Sequence, residues 1–379
     1  MAFFKRTTKE LQCLIVGAGA AGIGMGKTLK DLGLKRFEIV DRFGVGASFK
    51  RWPKEMRFIT PSFPSNSIRI VDLNAVTFDS SPGYTLGTEH PTGARYAEYL
   101  EAVVAHHKLP VRDGVSVKAI QPREDGGFDV ETDGDTIRTR TVVWAAGEFQ
   151  YPNLRPFPGA ELCLHNSRVR SWKKIEGDDP IIIGGYESGI DAAIHLARQG
   201  KSVRVLEKKG CWESQESDPS GTLSPFTWDR LHDAEDRSEE LIELCDGVSV
   251  TRVERTADGY IIYDTKKREW KTACRPILAT GFSGSTRLIA DLFEWRDDGF
   301  PLVNELDEST IAPGLYLSGP MLRHDDYVFC FIYKYRQRFA VVAQALGQRL
   351  EIDTNSLEQY RDYGMFLDDL SCCGDECVC

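Results

Sequence analysis

Short apolar runs separated by stretches of helical periodicity recur along the chain, and the first of these units is the clearest. Residues 13–16 are apolar throughout, as a buried parallel strand requires. A helix is predicted over residues 20–32, with Gly33 as its stop, and residues 37–40 are predicted as a second strand. A strand–helix–strand unit of this kind is typical of α/β folds.

The same alternation continues through the rest of the chain. Further short strands are predicted at residues 115–120, 128–132, 136–140, 181–183, 203–206, 248–252 and 260–264. Helices are predicted within residues 90–107, between the strands at 181–183 and 203–206, around 235–244 and over 328–346, the last stopped by Gly347. The apolar pattern therefore predicts an α/β protein with two strand–helix–strand units.

The turn between the first strand and its helix carries three glycines in the spacing G-x-G-x-x-G. The first glycine allows the tight turn, the second lets the backbone approach a pyrophosphate, and the third lets the helix pack on the strand. The second strand ends in a carboxylate that can accept hydrogen bonds from a ribose. The spacing predicts a dinucleotide site formed by Gly17, Gly19, Ala20, Ala21, Gly22 and Asp41. A glycine-, aromatic- and proline-rich segment follows and is predicted to wrap the ligand, so we add Arg42 and Ser48 to this site.

The second unit repeats the five-residue step between the outer glycines, and its strand-ending acid lies 23 residues after the first glycine, against 24 in the first unit. It departs at the middle glycine, where Tyr186 stands, so we expect the pyrophosphate to approach differently there. The predicted second dinucleotide site comprises Gly184, Gly185, Tyr186, Glu187, Ser188, Gly189, Glu207 and Lys208. Glu207 favours the 2′-hydroxyl of NADH, whereas Lys208 and Lys209 favour the 2′-phosphate of NADPH, and the choice stays open.

Composition narrows this picture mainly by exclusion. The 379 residues are 41% hydrophobic and 27% charged, as in a soluble globular protein of two or three domains. The net charge of −10 argues against nucleic acid or an anionic membrane as a partner, since no basic surplus exists to neutralise phosphates. The first residues lack signal-peptide character, and no long apolar run is present, so we expect a cytoplasmic protein.

Cysteines are unevenly placed. Six of the ten are scattered singly, as expected for a reduced cytosolic protein, and four fall within the last eight residues, at Cys372, Cys373, Cys377 and Cys379. Three interpretations of this Cys-rich tail remain open. It is a flexible thiol shuttle, a site for a soft metal such as Zn(II) or Cu(I), or an idle segment whose neighbouring acids do not favour thiolates.

Residues 11–346 resemble the flavoproteins with two dinucleotide-binding domains, which include thioredoxin reductases and flavin-containing monooxygenases. The resemblance implies FAD at the first glycine motif and NADPH or NADH at the second. It also implies cofactor contacts from two linking segments and from a segment that precedes the last helix, through Ala146, Gly147, Ala279, Thr280, Gly281, Gly319 and Pro320. The implied architecture is two Rossmann-like, three-layer ββα domains, with the NAD(P)H domain at 153–275 inserted in an FAD domain at 1–152 and 276–365, followed by the tail at 366–379.

Within this group, the G-G-x-x-S-G-I-D form of the second motif is similar to bacillithiol disulfide reductases and to small monooxygenase-like proteins. The flavin-facing cysteines of such reductases are missing, since Ala20 and Ala21 stand in the first turn and residues 171–180 contain no cysteine. The spacing around His165 fits the monooxygenase fingerprint poorly, so we expect this histidine to cap or fill a linker.

These considerations predict an FAD-dependent NAD(P)H oxidoreductase that reduces a small-molecule or protein disulfide. The four tail cysteines are its predicted catalytic residues, with no resident metal. Two alternatives stay open: a flavin monooxygenase that uses NADPH and O2, and a flavoprotein whose tail handles a soft metal. We also expect a homodimer.

Overall fold

The computed structural model of this chain describes residues 10–65, 68–214, 216, 218–237 and 241–371. The four tail cysteines, at positions 372, 373, 377 and 379, lie outside these described residues. Their predicted catalytic role therefore stays a prediction. In the part of the chain that is described, no helix combines the length and the apolar character needed to cross a bilayer.

The first part of the chain contains six strands and four helices. Their bounds are β1 Leu11–Val16, α1 Ala20–Asp31, β2 Phe37–Asp41, α2 Ala47–Lys50, α3 Pro82–Leu86, α4 Gly93–His107, β3 Val111–Asp113, β4 Val117–Pro122, β5 Phe128–Thr132 and β6 Ile137–Trp144. Strands β3, β2, β1 and β6 run parallel in that order, while β4, β5 and the start of β6 form an antiparallel meander. Residues 13–16, the apolar run at the end of β1, are buried because the strand lies between two parallel neighbours, β2 and β6, inside the sheet.

The middle part of the chain builds a second set of sheets. Its elements are β7 Leu164–His165, β8 Ile181–Ile183, α5 Glu187–Ala197, β9 Val203–Leu206, α6 Pro225–Arg237, β10 Ile242–Cys245, β11 Val250–Thr256, β12 Gly259–Asp264, β13 Glu269–Thr272 and β14 Ile277–Leu278. A five-stranded parallel sheet has the order β10-β9-β8-β14-β7, and β11, β12 and β13 form a separate antiparallel meander. Each part thus combines a parallel sheet with a three-stranded meander.

The last part returns to the first sheet. Its elements are β15 Leu315–Leu317, β16 Arg323–His324, β17 Tyr327–Val328, α7 Ile332–Tyr335 and α8 Phe339–Arg349. Strand β15 pairs in parallel with the end of β6, and α8 contacts α1. One hydrophobic core accordingly draws on residues 13–145 and 289–366, while two smaller cores lie within residues 160–278. The α/β class predicted from the apolar pattern is confirmed, whereas the NAD(P)H domain inserted in an FAD domain, with its boundaries, stays a prediction.

Two predicted helices are wrong in extent. The helix expected around residues 235–244 lies earlier, at Pro225–Arg237, and Ile242–Cys245 is instead an edge strand beside β9. The single helix expected over 328–346 is divided, because Tyr327–Val328 pairs with Arg323–His324 as a hairpin before α7 begins. Short apolar runs cannot distinguish a strand from a buried helix by periodicity alone, so the pairing partner decides. Gly347 lies within α8 and gives it close contact with Leu32 and Thr354 rather than ending it.

Candidate functional site: a cavity between two glycine turns

One cavity of about 620 Å³ is lined from both parallel sheets. Its wall includes Gly17, Gly19 and Gly147 from the first part of the chain, and Ser188 and Gly281 from the middle part. Both turns follow the carboxyl ends of parallel strands, and residues of both turns line this common space. That arrangement lets two ligands, each held by one motif, meet inside the cavity.

The first glycine turn is tight at its two outer positions and open at its middle position. Gly17 has φ +112°, and a β-carbon there would overlap the carbonyl oxygen of Ala145. A β-carbon on Gly22 would overlap the carbonyl oxygen of Gly17, so this position must also be glycine for α1 to pack on β1. Nothing lies within 4 Å of a β-carbon placed on Gly19, which leaves room for a phosphate group beside the start of α1. The turn therefore fits the pyrophosphate of FAD.

Asp41 fixes the loop beside this turn. One carboxylate oxygen accepts the N–H of Ala18 at 2.9 Å, and the other accepts the N–H groups of Phe43 at 2.7 Å and Gly44 at 2.9 Å. Each carboxylate oxygen has two lone pairs, so the carboxylate retains capacity for a ribose hydroxyl. Asp41 itself lines the cavity, as its predicted role requires.

Arg42 and Ser48 are joined through Gln150 rather than directly. The guanidinium of Arg42 donates to Gln150 Oε1 at 2.9 Å, and Gln150 Nε2 donates to Ser48 Oγ at 3.2 Å. Ser48 and Gln150 are part of the cavity wall, and Arg42 lies behind them. Sequence reasoning predicted Arg42 and Ser48, the two ends of this chain of contacts, and missed Gln150 between them.

The second turn repeats the outer packing but not the open middle. A β-carbon on Gly184 would overlap the carbonyl oxygen of Ala279, and one on Gly189 would overlap that of Gly184. These are the equivalents of the contacts at Gly17 and Gly22. Gly185 is covered, since a β-carbon there would lie 2.9 Å from the β-carbon of Glu207 and 2.5 Å from the ring of Trp212. The turn keeps the Rossmann packing, while its outer face is occupied by the protein itself.

Glu207, the acid that follows β9, hydrogen-bonds to the second glycine turn. Its Oε2 accepts the N–H of Gly185 at 2.6 Å, and its Oε1 accepts the N–H of Lys208 at 2.6 Å. Neither Glu207 nor Lys208 belongs to the cavity wall. They lie at the far side of the turn, where the adenosine end of a dinucleotide is expected.

The middle position of the second turn is covered by residues 218–224, which we call the cover segment. The hydroxyl of Tyr186 lies 2.9 Å from the carbonyl oxygen of Thr222, 3.1 Å from that of Ser220 and 3.3 Å from that of Pro219. At the start of α5, the Glu187 carboxylate accepts the N–H of Ser224 and, at 2.6 Å, the hydroxyl of Thr227. Burial raises the pKa of Glu187. The chain's own polar groups thus occupy the N-terminal turn of α5, where a pyrophosphate would bind.

The cover segment is also attached to the last part of the chain. Lys334 Nζ lies 2.6 Å from Asp218 Oδ1 and 3.1 Å from Ser220 Oγ. The thiol of Cys330 donates to Ser220 Oγ at 3.2 Å. Lys334 is buried, so these contacts are shielded from water on one side. The cover segment therefore bridges the second glycine turn and the residues just before α7.

The predicted cofactor residues separate into two groups. Those on the cavity wall are Gly17, Gly19, Ala20, Ala21, Asp41, Ser48, Ala146, Gly147, Tyr186, Glu187, Ser188, Ala279, Gly281 and Pro320. Those outside the wall are Gly22, Arg42, Gly184, Gly185, Gly189, Glu207, Lys208, Thr280 and Gly319. Several of the second group shape the turns by packing. A β-carbon placed on Gly319, for example, would lie 3.1 Å from the β-carbon of Ala21, so the two segments pack closely.

Besides Gln150, the cavity wall includes the polar residues Glu148, Asn166 and Cys330, which sequence reasoning also missed. Burial raises the pKa of Glu148, while the nearby Arg323 guanidinium opposes that shift. Glu148 directly follows the Gly147 of a linking segment, and that adjacency was a usable signal. No sequence pattern marks the other two.

The described thiols share one electrostatic property. Burial raises the pKa of all six thiols. The pKa reaches about 12 for Cys13 and Cys163 and about 11 for Cys245. The pKa values of Cys211, Cys274 and Cys330 are raised as well. A thiol with a raised pKa carries little thiolate at neutral pH and exchanges slowly. Within the same described residues, no group of three or more His, Cys, Asp or Glu side chains is placed to hold a metal ion.

His165 has the structural role expected for it. Its ring accepts the N–H of Ser167 and lies 3.1 Å from the carbonyl oxygen of Gly281, which caps the short turn Asn166–Arg168. Burial lowers the pKa of this histidine. It links the end of β7 to the second linking segment.

Comparison with known proteins places these features in a family. The chain is 27% identical over 205 residues to an uncharacterized oxidoreductase CzcO of Bacillus velezensis, which covers 52% of this chain and 54% of that protein. Matches of this kind span about half the length of the curated relatives. A bacillithiol disulfide reductase Bdr (YpdA) from Staphylococcus aureus has a similar structure, with a TM-score of 0.73, 20% identity and coverage of 90% of this chain and 99% of that one. A flavin-containing monooxygenase from Stenotrophomonas maltophilia gives a TM-score of 0.68 at 17% identity, covering 90% and 100%. At these identities the structural likeness concerns the fold.

The family comparison covers the whole region that carries both glycine turns. Residues 14–319 match the family described as pyridine nucleotide-disulphide oxidoreductase. This stretch includes the end of β1, both glycine turns and both linking segments. The chain therefore belongs to the pyridine nucleotide-disulphide oxidoreductase family, and its cofactors are those of the family, FAD and NAD(P)H.

Proposed function

We propose that the protein is an FAD-dependent NAD(P)H:disulfide reductase whose C-terminal cysteines carry electrons to a small-molecule or protein disulfide. The overall reaction consumes NAD(P)H, one proton and one disulfide, and yields NAD(P)⁺ and two thiols. When bound, the flavin supplies the two-electron step between nicotinamide and disulfide. The observation that carries the proposal is the shared cavity, whose wall includes residues of both glycine turns.

The first turn provides the resident site. The space beside Gly19 and the start of α1 would hold the FAD pyrophosphate, and Asp41 would hold its ribose. Gly147 and Pro320 lie on the cavity wall where the isoalloxazine ring would extend. The apolar side chains around this space, including Trp52 and Phe58, would exclude water from the ring.

The second turn provides the exchangeable site. Ser188 and Gly281 line the cavity on that side, and Glu207 and Lys208 flank the expected position of the adenosine ribose. The cover segment must move before a pyrophosphate can reach the start of α5, because Tyr186 and Glu187 are engaged by it. Such a site suits a cofactor that binds and leaves in each turnover.

The tail is proposed as the thiol carrier because the described thiols are unsuited to this role. Their pKa values are all raised, and only Cys330 among them contributes to the cavity wall. The first turn, where bacillithiol reductases keep a cysteine, holds Ala20 and Ala21, both buried. Leu367 and Leu370 still pack against the core, and four cysteines follow them in the sequence. From position 371, the eight residues up to Cys379 could span at most about 26–29 Å when fully extended.

The test is NAD(P)H-driven reduction of a generic aromatic disulfide by the full chain and by a chain lacking residues 371–379. We expect the truncated protein to retain FAD and to oxidise NAD(P)H slowly, and to lose most disulfide reduction. The control is Cys330→Ser, which removes the thiol on the cavity wall and should leave the rate within about 2-fold. Unchanged turnover in the truncated protein would overturn the role of the tail, and loss of turnover in the control would assign it to Cys330.

A flavin monooxygenase is the second candidate, favoured by the absence of a cysteine from the first glycine turn. It predicts that oxygen, rather than a disulfide, accepts the electrons. Oxygen consumption coupled to product formation from an added amine or sulfide would support it. Oxygen consumption that yields only hydrogen peroxide, with rapid disulfide reduction, would support the reductase.

A further inference from the structure

Asn166 is a buried amide on the cavity wall that lacks a hydrogen-bond partner among the described residues. It is 2% exposed, and its Oδ1 meets no donor. In Asn74, another buried asparagine on the same wall, Nδ2 donates to Thr60 O and to Ser62 Oγ, each at 2.8 Å, and neither amide atom is left buried without a partner. A buried amide without a partner is costly, so native structures seldom keep one unless a ligand satisfies it.

The position of Asn166 is fixed by its neighbours. The N–H of Ser167 donates to His165 Nδ1 at 3.2 Å, so the other ring nitrogen, Nε2, carries the proton and donates to Gly281 O at 3.1 Å. Burial lowers the pKa of His165, which keeps the ring neutral in this arrangement. The short turn that begins at Asn166 is thus held between β7 and the segment after β14. A residue held in this way is pre-organised for a ligand.

The turn that carries Asn166 packs against α5, the helix of the second glycine motif. Asn166 therefore lies on the NAD(P)H side of the cavity, on the same wall as Ser188 and Gly281. The cavity continues from there to Gly17 and Gly19 of the first turn. A dinucleotide held by α5 would place its redox ring in the space between the two turns.

We propose that Asn166 binds the carboxamide of the nicotinamide ring and so positions NAD(P)H for hydride transfer. A carboxamide offers N–H donors to the oxygen of an asparagine amide and a carbonyl oxygen to its nitrogen, so the two groups can pair. This inference rests on the NAD(P)H half of the proposed function and is independent of the disulfide half. It assigns to Asn166 a contact with the cofactor rather than with the substrate.

The experiment compares a whole nucleotide with the same nucleotide lacking its nicotinamide. Dissociation constants of NAD⁺, NADP⁺, ADP-ribose and its 2′-phosphate are measured by calorimetry on the FAD-loaded protein. Of NAD⁺ and NADP⁺, the one that the protein binds more tightly is compared with its own fragment without nicotinamide. For Asn166→Ala we expect binding of that nucleotide to weaken by about 5- to 10-fold, and binding of its fragment to change by less than about 2-fold. Asn166→Asp keeps an acceptor and loses the N–H donors, so its effect should be intermediate.

The control is Asn304→Ala, which removes an exposed asparagine whose Nδ2 lies 3.4 Å from Glu308, away from the cavity. It should leave all four constants unchanged. Equal weakening of nucleotide and fragment in the Asn166 variants, or no weakening in either, would overturn the proposal. Loss of FAD from the Asn166 variants would assign the amide to the flavin instead. If Asn166→Ala fails to fold, Asn166→Asp decides the matter alone. No outcome depends on disulfide turnover, so failure here is distinct from failure of the reductase.

Discussion

The two glycine turns share the packing of their outer glycines and differ most clearly at the middle position. Gly17 and Gly22 in the first turn make the same close contacts as Gly184 and Gly189 in the second. At the middle position, the first turn has Gly19 with empty space beside it. The second has Tyr186, whose hydroxyl lies within 3.3 Å of three carbonyl oxygens of the cover segment.

This difference separates what the motif does for the fold from what it does for the ligand. The outer glycines serve helix–strand packing, and they persist in both turns. The middle position decides whether the helix start is open to a pyrophosphate or closed by the protein. An open turn suits a cofactor that stays bound, and a covered turn suits one that binds transiently after the cover segment moves.

Opening the cover segment breaks several polar contacts. A hydrogen bond such as that of Tyr186 contributes about 0.5–1.5 kcal/mol net, and hydrogen bonds to charged groups, such as Ser224 to Glu187 and Lys334 to Asp218, contribute about 1.5–3 kcal/mol each. Nucleotide binding can supply that much and still be favourable. The closed state then lowers the apparent affinity for NAD(P)H by the fraction of molecules that are open.

The largest effect is expected when the first turn is given the side chain of the second, in Gly19→Tyr. FAD binding should weaken by more than about 1,000-fold, because the ring would fill the space through which the backbone approaches the pyrophosphate. The apo fold should persist, since φ at Gly19 is −84° and nothing lies within 4 Å of a β-carbon there. Flavin absorbance per protein measures FAD binding, and the thermal unfolding midpoint of the apo form measures whether the fold persists.

The matched variant is Tyr186→Gly, which gives the second turn the residue of the first and should leave the FAD content unchanged. Stoichiometric FAD in Gly19→Tyr would show that the pyrophosphate does not use this turn. A collapsed apo midpoint would show that the position matters for folding rather than for the ligand.

The next largest effect is expected from locking the cover segment closed with Ser220→Cys. The Cys330 thiol lies 3.2 Å from the hydroxyl that would be replaced, so a disulfide requires an approach of about 1 Å more. The oxidised variant should bind NADP⁺ at least about 100-fold more weakly than its reduced form, because the open state is removed. Calorimetry before and after dithiothreitol measures the change, and FAD content should be constant.

Ser220→Cys combined with Cys330→Ser is the control, since it cannot form this bond and should be insensitive to oxidation. Tight NADP⁺ binding by the oxidised single variant would show that the cover segment need not move. The second turn would then bind its nucleotide by another route.

Much of the fold was predictable because local signals and tertiary structure agree. The first strand, α1 and the stop at Gly33, where φ is +85°, all follow from residues close in sequence. The segment at 242–245 was mispredicted as helix because only its pairing with β9 makes it a strand. The region from 327 to 335 was mispredicted for the same reason, since the hairpin partner at 323–324 is not visible in the apolar pattern.

The site was predictable where the chemistry depends on spacing, and unpredictable where it depends on distant contacts. The sequence shows that Tyr186 replaces a glycine, but not that its hydroxyl reaches residues more than thirty positions later. Asn166 and Cys330 meet the cavity only because separate elements pack around it. The tail cysteines lie outside the described residues, and their function stays a prediction.

The smallest of the expected effects tests the comparison most directly, because Tyr186→Phe removes one hydroxyl and keeps the ring. The apparent dissociation constant for NADP⁺ should fall by about 3- to 10-fold, since the closed state loses a hydrogen bond worth about 0.5–1.5 kcal/mol and the open state does not. Tyr263→Phe is the control, because that hydroxyl lies 3.1 Å from Glu254 on an exposed strand and should not affect binding. A constant that rises instead would mean that the Tyr186 hydroxyl holds the nucleotide itself. The second turn would then differ from the first in how it binds a pyrophosphate, not in whether it is covered.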